Sequence, residues 1–203
     1  MSLNAPGSGV RVPQQGRSGV ADTFERLVAA EREVVRELGL IESAALDEVL
    51  PRLSRAADHG VLWIGIAGGL SLCGRSGRRS AVHGLVALAV ASAATNVVLK
   101  RASGRIRPPA GLVPLAREPR RAPFSSSFPS GHAAAAAAFA TVVALELPWT
   151  AIPLAPLAAA VAASRVVIGV HYPSDVVAGA ALGVAAAVVT RGYLREDGLT
   201  GGA

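Results

Sequence analysis

Residues 129–175 read PSGHAAAAAAFATVVALELPWTAIPLAPLAAAVAASRVVIGVHYPSD. Two apolar runs lie inside this stretch, roughly Gly131–Leu147 and Ala151–Val170. Each is read as a helix that crosses a membrane. Pro153 and Pro156 fall in the first turns of the second run, where a missing N–H costs little. A chain that crosses away and then returns puts His132 and His171 on the same side.

Working outward, a further apolar run follows at roughly Asp175–Leu194, and two precede, Val61–Cys73 and Ala81–Leu99. The last of these has 19 residues, or about 28 Å of helix, close to the hydrocarbon thickness of a bilayer. Val61–Cys73 is short and needs flanking residues to span. Gly179 and Gly183 form a G-x-x-x-G pair, which reads either as a helix contact face or as incidental glycine. Upstream, Phe24, Leu27, Val28, Val34, Val35 and Leu38 recur at helical spacing among charges. They predict an amphipathic helix broken near Gly39 and followed by a shorter one, lying on the membrane surface or covering the bundle.

The expected fold is an all-α, integral-membrane helical bundle of about five transmembrane helices, with six possible, and an N-terminal amphipathic helix. The expected division is 1–20 as a disordered tail, 21–58 as amphipathic interfacial helices, 59–195 as the transmembrane domain and 196–203 as a tail. Residues 1–20 are rich in Gly, Ser, Pro and Gln and lack the apolar core of a signal peptide.

Composition agrees. Of 203 residues, 51% are hydrophobic and 17% charged, against about 25% charged in soluble domains. The net charge of +6 is almost all arginine, with Lys100 the only lysine. Arginine suits phosphate and anionic lipid surfaces. The lone Cys73 excludes an internal disulfide and a multi-cysteine metal site, and reads as a small core residue. No nucleic-acid-binding motif is found. His59 and His83 have no motif partner and are assigned packing or surface roles, while Arg117, Arg120 and Arg121 read as a solvated basic arm.

Counting crossings brings three polar clusters to one membrane face: Lys100–Pro108, Pro129–His132 and Ser164–Asp175. Ionisable residues at membrane-helix ends point to function. Lys100 and Arg107 offer two cations that suit phosphate, although a basic flank is also a common anchor. Ser130 is a good helix cap, Gly131 permits close approach of a ligand, and the helix N-terminus attracts an anion beside His132. Arg165 sits near the end of an apolar span, where it must snorkel or find an anionic partner. Asp175, four residues after His171, is placed to accept a proton from one ring nitrogen and leave the other free to attack. On spacing alone a simple capping and turn interaction is the better reading of that pair.

Taken together, Lys100, Arg107, Pro108, Pro129, Ser130, Gly131, His132, Ser164, Arg165, His171 and Asp175 match K-x6-R-P, P-S-G-H and S-R-x5-H-x3-D. The chain therefore resembles the type-2 phosphatidic acid phosphatase superfamily over about residues 60–194. That superfamily also includes vanadium haloperoxidases and certain bacterial acid phosphatases. The resemblance implies His171 as nucleophile through a phosphohistidine, Asp175 as its orienting group and His132 as general acid and then base. Lys100, Arg107, Ser130, Gly131 and Arg165 would hold the phosphoryl oxygens.

No metal and no cofactor are expected, because no acidic cluster is present to bind a divalent ion. The expected substrate is a lipid phosphate, whether phosphatidate, phosphatidylglycerol phosphate or a polyprenyl phosphate or diphosphate. The expected setting is the cell membrane, multi-pass, among membrane lipids. The family places the site at the extracytoplasmic face, and Arg75, Arg78, Arg79, Arg191 and Arg195 mark the opposite end as cytoplasmic. Against this, the catalytic end carries more basic residues, Arg52, Arg55, Arg101 and Arg105 among them, and a long polar N-terminal region without a signal peptide favours a cytoplasmic site. The rivals are a vanadate-dependent haloperoxidase-like enzyme and a non-catalytic protein that binds or translocates lipid phosphates.

Overall fold

The computed structural model describes residues 19–119 and 124–196, and among them there is no strand. The expected tails and the expected solvated reading of Arg120 and Arg121 lie wholly or mostly outside the described residues. Helix α1 (Gly19–Leu40) is followed by a π-helical turn, Ala45–Val49, and by α2 (Leu50–Ala56). A 3-10 turn, Asp58–Gly60, leads into α3 (Val61–Ser71). Helix α4 (Gly74–Ala93) runs on through a π-helical stretch, Ala94–Leu99, into a last turn, α5 (Lys100–Ser103). After a long connection come α6 (Gly131–Glu146), α7 (Ala151–Val167) and α8 (Pro173–Glu196).

Three of these rods are long and apolar enough to cross a membrane: Gly74–Ser103, Pro148–Val167 and Pro173–Arg195. Gly131–Glu146 is apolar but shorter. Helix α3 has 11 residues, or about 16 Å, well under the hydrocarbon thickness.

Small side chains decide the packing. Helix α6 carries alanines where it meets α4 and α8, so Ala134, Ala138 and Val142 bury against Ala87, Ala91 and Ala187. The glycine pair of α8 is a contact face. A Cβ on Gly179 would collide with the backbone carbonyl of Ser130, and one on Gly183 with that of Ala134. Without side chains between them, the backbones meet, and the Ser130 N–H donates to the Asp175 carbonyl at 2.9 Å. Two of the three polar clusters are joined by that bond. On the other side of α6, Trp63 and Phe139 stack at 5.3 Å in a second core with Ala67, Leu70 and Val161.

Helix α1 covers the bundle. Its Val35 is fully buried with Val113, Val166 and Tyr172. Arg117, expected in a solvated arm, is instead 1% exposed. Its guanidinium donates to the carbonyls of Leu38 at 2.6 Å and Ile41 at 2.5 Å, and to Asp47 at 2.7 Å. The last carbonyls of a helix need donors, and this arginine supplies them. Cys73, expected in the core, is exposed between α3 and α4, because α3 ends at Ser71, two residues before the apolar run does.

Gly179→Ala and Gly183→Ala are expected to cost about 1–3 kcal/mol or more each by overpacking. Gly192→Ala, which meets nothing within 4 Å, should be neutral or better. Thermal unfolding in detergent checks this, and equal behaviour of all three would contradict the contact face.

Candidate functional site

Three chain reversals build one end of the bundle. The first is the end of the Gly74–Ser103 rod, which delivers Lys100 and then loops back through Arg107. There the Arg107 guanidinium is laced to loop carbonyls: Nε to Ser125 O at 2.9 Å, NH1 to Val170 O at 2.7 Å and NH2 to Ser126 O at 3.1 Å. The second is the start of α6. Ser130 is extended (φ −73°, ψ 111°) and its hydroxyl accepts from Ala133 N–H at 3.4 Å, a helix cap. The third is the end of α7, where Gly169 turns left-handed (φ +70°). The N–H groups of Val170 and His171 then fold back onto the Arg165 carbonyl, both at 3.2 Å.

These reversals close around a cavity of about 440 Å³. Lys100, Arg107, Gly131, His132, Arg165 and His171 all line it, although they come from stretches up to 71 positions apart. Ser130 and Asp175 are fully buried and stand behind the lining, at the α6 cap and behind His171. The rest of the wall comes from Asp58, His59 and Gly60, and from Leu88, Ser92 and Asn96 along the Gly74–Ser103 rod.

His171 is 2% exposed. Its Nδ1 lies 3.6 Å from Asp175 Oδ2 and its Nε2 lies 3.3 Å from Arg107 NH1. Asp175 Oδ2 is itself fixed by the Tyr172 N–H at 2.9 Å. Burial pushes the imidazole down to about 4; Asp175 opposes this, and Arg107 and Arg165 add to it. The ring is therefore neutral at pH 7, with a lone pair to use. Burial also lowers Arg107 from its ordinary value, with Asp175 opposing.

Arg165 is 7% exposed in the last turn of α7 and donates to the Ser54 hydroxyl, while its Nε finds no partner within the described residues. A buried, unpaired guanidinium N–H on the wall of a cationic cavity suits an anion.

Residues that the three motifs leave unspecified also line or back the cavity. His132 Nε2 lies 2.8 Å from Asp58 Oδ1. His59, expected to pack or face solvent, adopts a left-handed backbone (φ +55°) and lines the cavity. The only sequence signal for this pair is that Asp58-His59-Gly60 precedes an apolar run on the right side. Arg105, hidden among the variable positions after Lys100, donates to Asp175 Oδ1 at 2.5 Å. His83 is buried at the opposite end, with Nδ1 2.6 Å from Glu146 Oε1. Among the described residues, no three His, Cys, Asp or Glu side chains gather where they could hold a metal ion.

The family model of the PAP2 superfamily matches residues 81–198. The decaprenylphosphoryl-5-phosphoribose phosphatase of Mycolicibacterium smegmatis is 35% identical over 159 residues, covering 75% of this chain and 78% of that protein. The lipid A 1-phosphatase of Rhizobium johnstonii is 38% identical over 106 residues, covering 50% of this chain and only 43% of that longer protein. Among solved structures, a transmembrane PAP2 type phosphatidylglycerolphosphate phosphatase from Bacillus subtilis shares the fold at TM-score 0.68 and 24% identity, over 87% of this chain and 90% of its own. LpxE from Aquifex aeolicus superposes at TM-score 0.63 and 25% identity, over 79% and 94%.

A ring-carbon NMR titration of His171 should have its midpoint near pH 4. Because this lies below the ordinary value of about 6.5, the unfolded chain binds the proton more readily, and stability falls as pH drops below about 6.5. A midpoint at 6.5 or higher would contradict the burial argument.

Proposed function

Because the chain belongs to the PAP2 superfamily, we propose that it releases phosphate from a membrane lipid phosphate, using His171 as nucleophile and no metal. One observation carries this reading: a neutral, buried imidazole, a second histidine, three cations and the Gly131 backbone share a single cavity at one end of an apolar bundle. Phosphoryl transfer needs little more than positioning and charge stabilisation.

The lone pair of His171 Nε2 attacks phosphorus as the bond from phosphorus to the lipid oxygen breaks. His132 gives its proton to that leaving oxygen. The same ring then takes a proton from water, whose oxygen attacks the phosphohistidine. The P–N bond breaks, inorganic phosphate leaves and His171 is restored. Lys100, Arg107, Arg165 and the Gly131 N–H stabilise the equatorial oxygens. Ser130 shapes that wall through its cap on α6. Asp175 Oδ2, 3.6 Å from His171 Nδ1 in the resting site, closes on that N–H as the ring gains charge, and Asp58 orients His132.

Residues 59–195 form the catalytic domain in this reading, set in the cell membrane as a multi-pass protein with its site outside the cytoplasm. Arg75, Arg78, Arg79, Arg191 and Arg195 at the other end support this orientation, and part of the larger basic charge at the cavity end is accounted for by phosphate binding. The substrate is an amphiphile whose phosphate reaches the cavity while its chains stay in lipid. Phosphatidate, phosphatidylglycerol phosphate and polyprenyl phosphates or diphosphates all meet that description. The named relatives act on lipid A and on decaprenylphosphoryl-5-phosphoribose, which adds lipids with a phosphorylated sugar to the panel.

The test is phosphate release from this panel by the purified protein in sealed right-side-out vesicles, with substrate added outside. Activity should survive a magnesium chelator and fall at least about 10⁴-fold in His171→Ala. Loss on chelation would refute the metal-free mechanism. Release only after the vesicles are opened would place the site on the cytoplasmic face.

A further inference from the structure

The catalytic reading leaves a buried network unexplained. Asp175 is fully buried, and its two oxygens have separate duties. Oδ2 faces His171 Nδ1 at 3.6 Å and accepts the Tyr172 N–H. Oδ1 accepts from Arg105 NH1 at 2.5 Å. That same nitrogen donates to the Ser174 hydroxyl at 2.7 Å, while NH2 donates to Glu31 Oε2 at 2.5 Å. The other oxygen of Glu31 accepts the Ser174 N–H, at 2.6 Å. The Tyr172 ring lies 4.7 Å from the guanidinium carbon, and the Phe24 ring lies 5.8 Å from it. The side chains of Arg105 and Glu31 are 9% and 8% exposed.

Three features of this network exceed what docking a cover helix requires. A guanidinium is shared between two carboxylates, which a planar fork can do and an ammonium cannot do in the same geometry. One of those carboxylates is the partner of the nucleophile. The other binds the free N–H at the start of α8, the very turn that carries Asp175, and so fixes the backbone as well as the side chain. Glu31 belongs to α1, outside the residues matched by the family model.

We propose that Arg105 and Glu31 are positioning residues for Asp175, so that α1 is a working part of the active site rather than a cover. The inference rests on the phosphatase reading. In that reaction the His171 ring gains positive charge as the P–N bond forms, and its Nδ1–H needs a carboxylate that cannot swing away. Arg105 holds Oδ1, which leaves Oδ2 turned to the ring. Glu31 holds Arg105. Neither residue lines the cavity, so neither should affect substrate binding directly.

The test is steady-state hydrolysis in mixed micelles, using the lipid of the panel that the wild type turns over fastest, by the wild type, Arg105→Gln, Glu31→Gln, the double variant and Arg105→Lys. The two Gln variants should each lose about 10- to 100-fold in kcat with KM held within about twofold, the mark of misplacement rather than lost binding. The double variant should lose no more than Arg105→Gln alone, since the two act through one linkage. Arg105→Lys, which keeps the charge and loses the fork, should recover only part of the loss. Unchanged kcat, a rise in KM alone, or losses that multiply in the double variant would overturn the proposal. If Arg105→Gln does not elute as a folded particle, Glu31→Gln decides, because it leaves the Arg105–Asp175 pair in place. A wild type that releases no phosphate from any lipid on the panel defeats the phosphatase reading beneath it. An active wild type with unaffected variants defeats this inference alone.

Discussion

Three permanently or readily charged cations, Lys100, Arg107 and Arg165, share a cavity wall at the end of an apolar bundle. Gathering like charges away from bulk water is costly, and the cost is greatest where a group is buried without a partner. Part of it is offset locally: Arg107 by loop carbonyls, and Arg165 by the Ser54 hydroxyl. In the proposed reading the remainder is met by the phosphate of the substrate, an anion with several acceptor oxygens. The rest of the architecture serves to hold these side chains still. The bare glycine face of α8 lets its first turn meet the α6 cap, the reversal at Gly169 presents His171, and the π-helical stretch before Lys100 ends the longest rod at the cavity.

The same arrangement divides labour between two histidines. His171 is buried and neutral, backed by a carboxylate that the protein clamps on both oxygens. His132 sits in the first turn of α6, against the more exposed Asp58. In the proposed mechanism one ring attacks and the other exchanges protons with the leaving group and with water. Below them, Asn96, Ser92 and Leu88 continue the wall along the Gly74–Ser103 rod, from an amide through a hydroxyl to an aliphatic side chain.

Much of this was legible in the residues. Apolar run lengths and the positions of charges between them were enough to bring Lys100, His132, Arg165 and His171 to one end, since each crossing reverses direction. The glycine pair could be seen but not assigned, because a contact face depends on what opposes it, here the carbonyls of Ser130 and Ala134. Arg105 was hidden because a motif written as K-x6-R-P treats it as filler. Glu31 and Asp58 lie before the motifs, and only the folded chain brings them against residues more than 70 positions away. Arg117 was misread because a basic residue near prolines looks solvated until the end of α1, with its open carbonyls, is placed beside it.

The most direct measurement is an experimental structure with a phosphate mimic such as tungstate or vanadate bound. The anion should lie in the cavity, within about 3 Å of Arg107, Arg165, Lys100 and the Gly131 N–H, with His171 Nε2 facing the central atom at bonding or hydrogen-bonding distance. An anion bound elsewhere, or a His171 ring turned away from one held among the cations, would contradict the account.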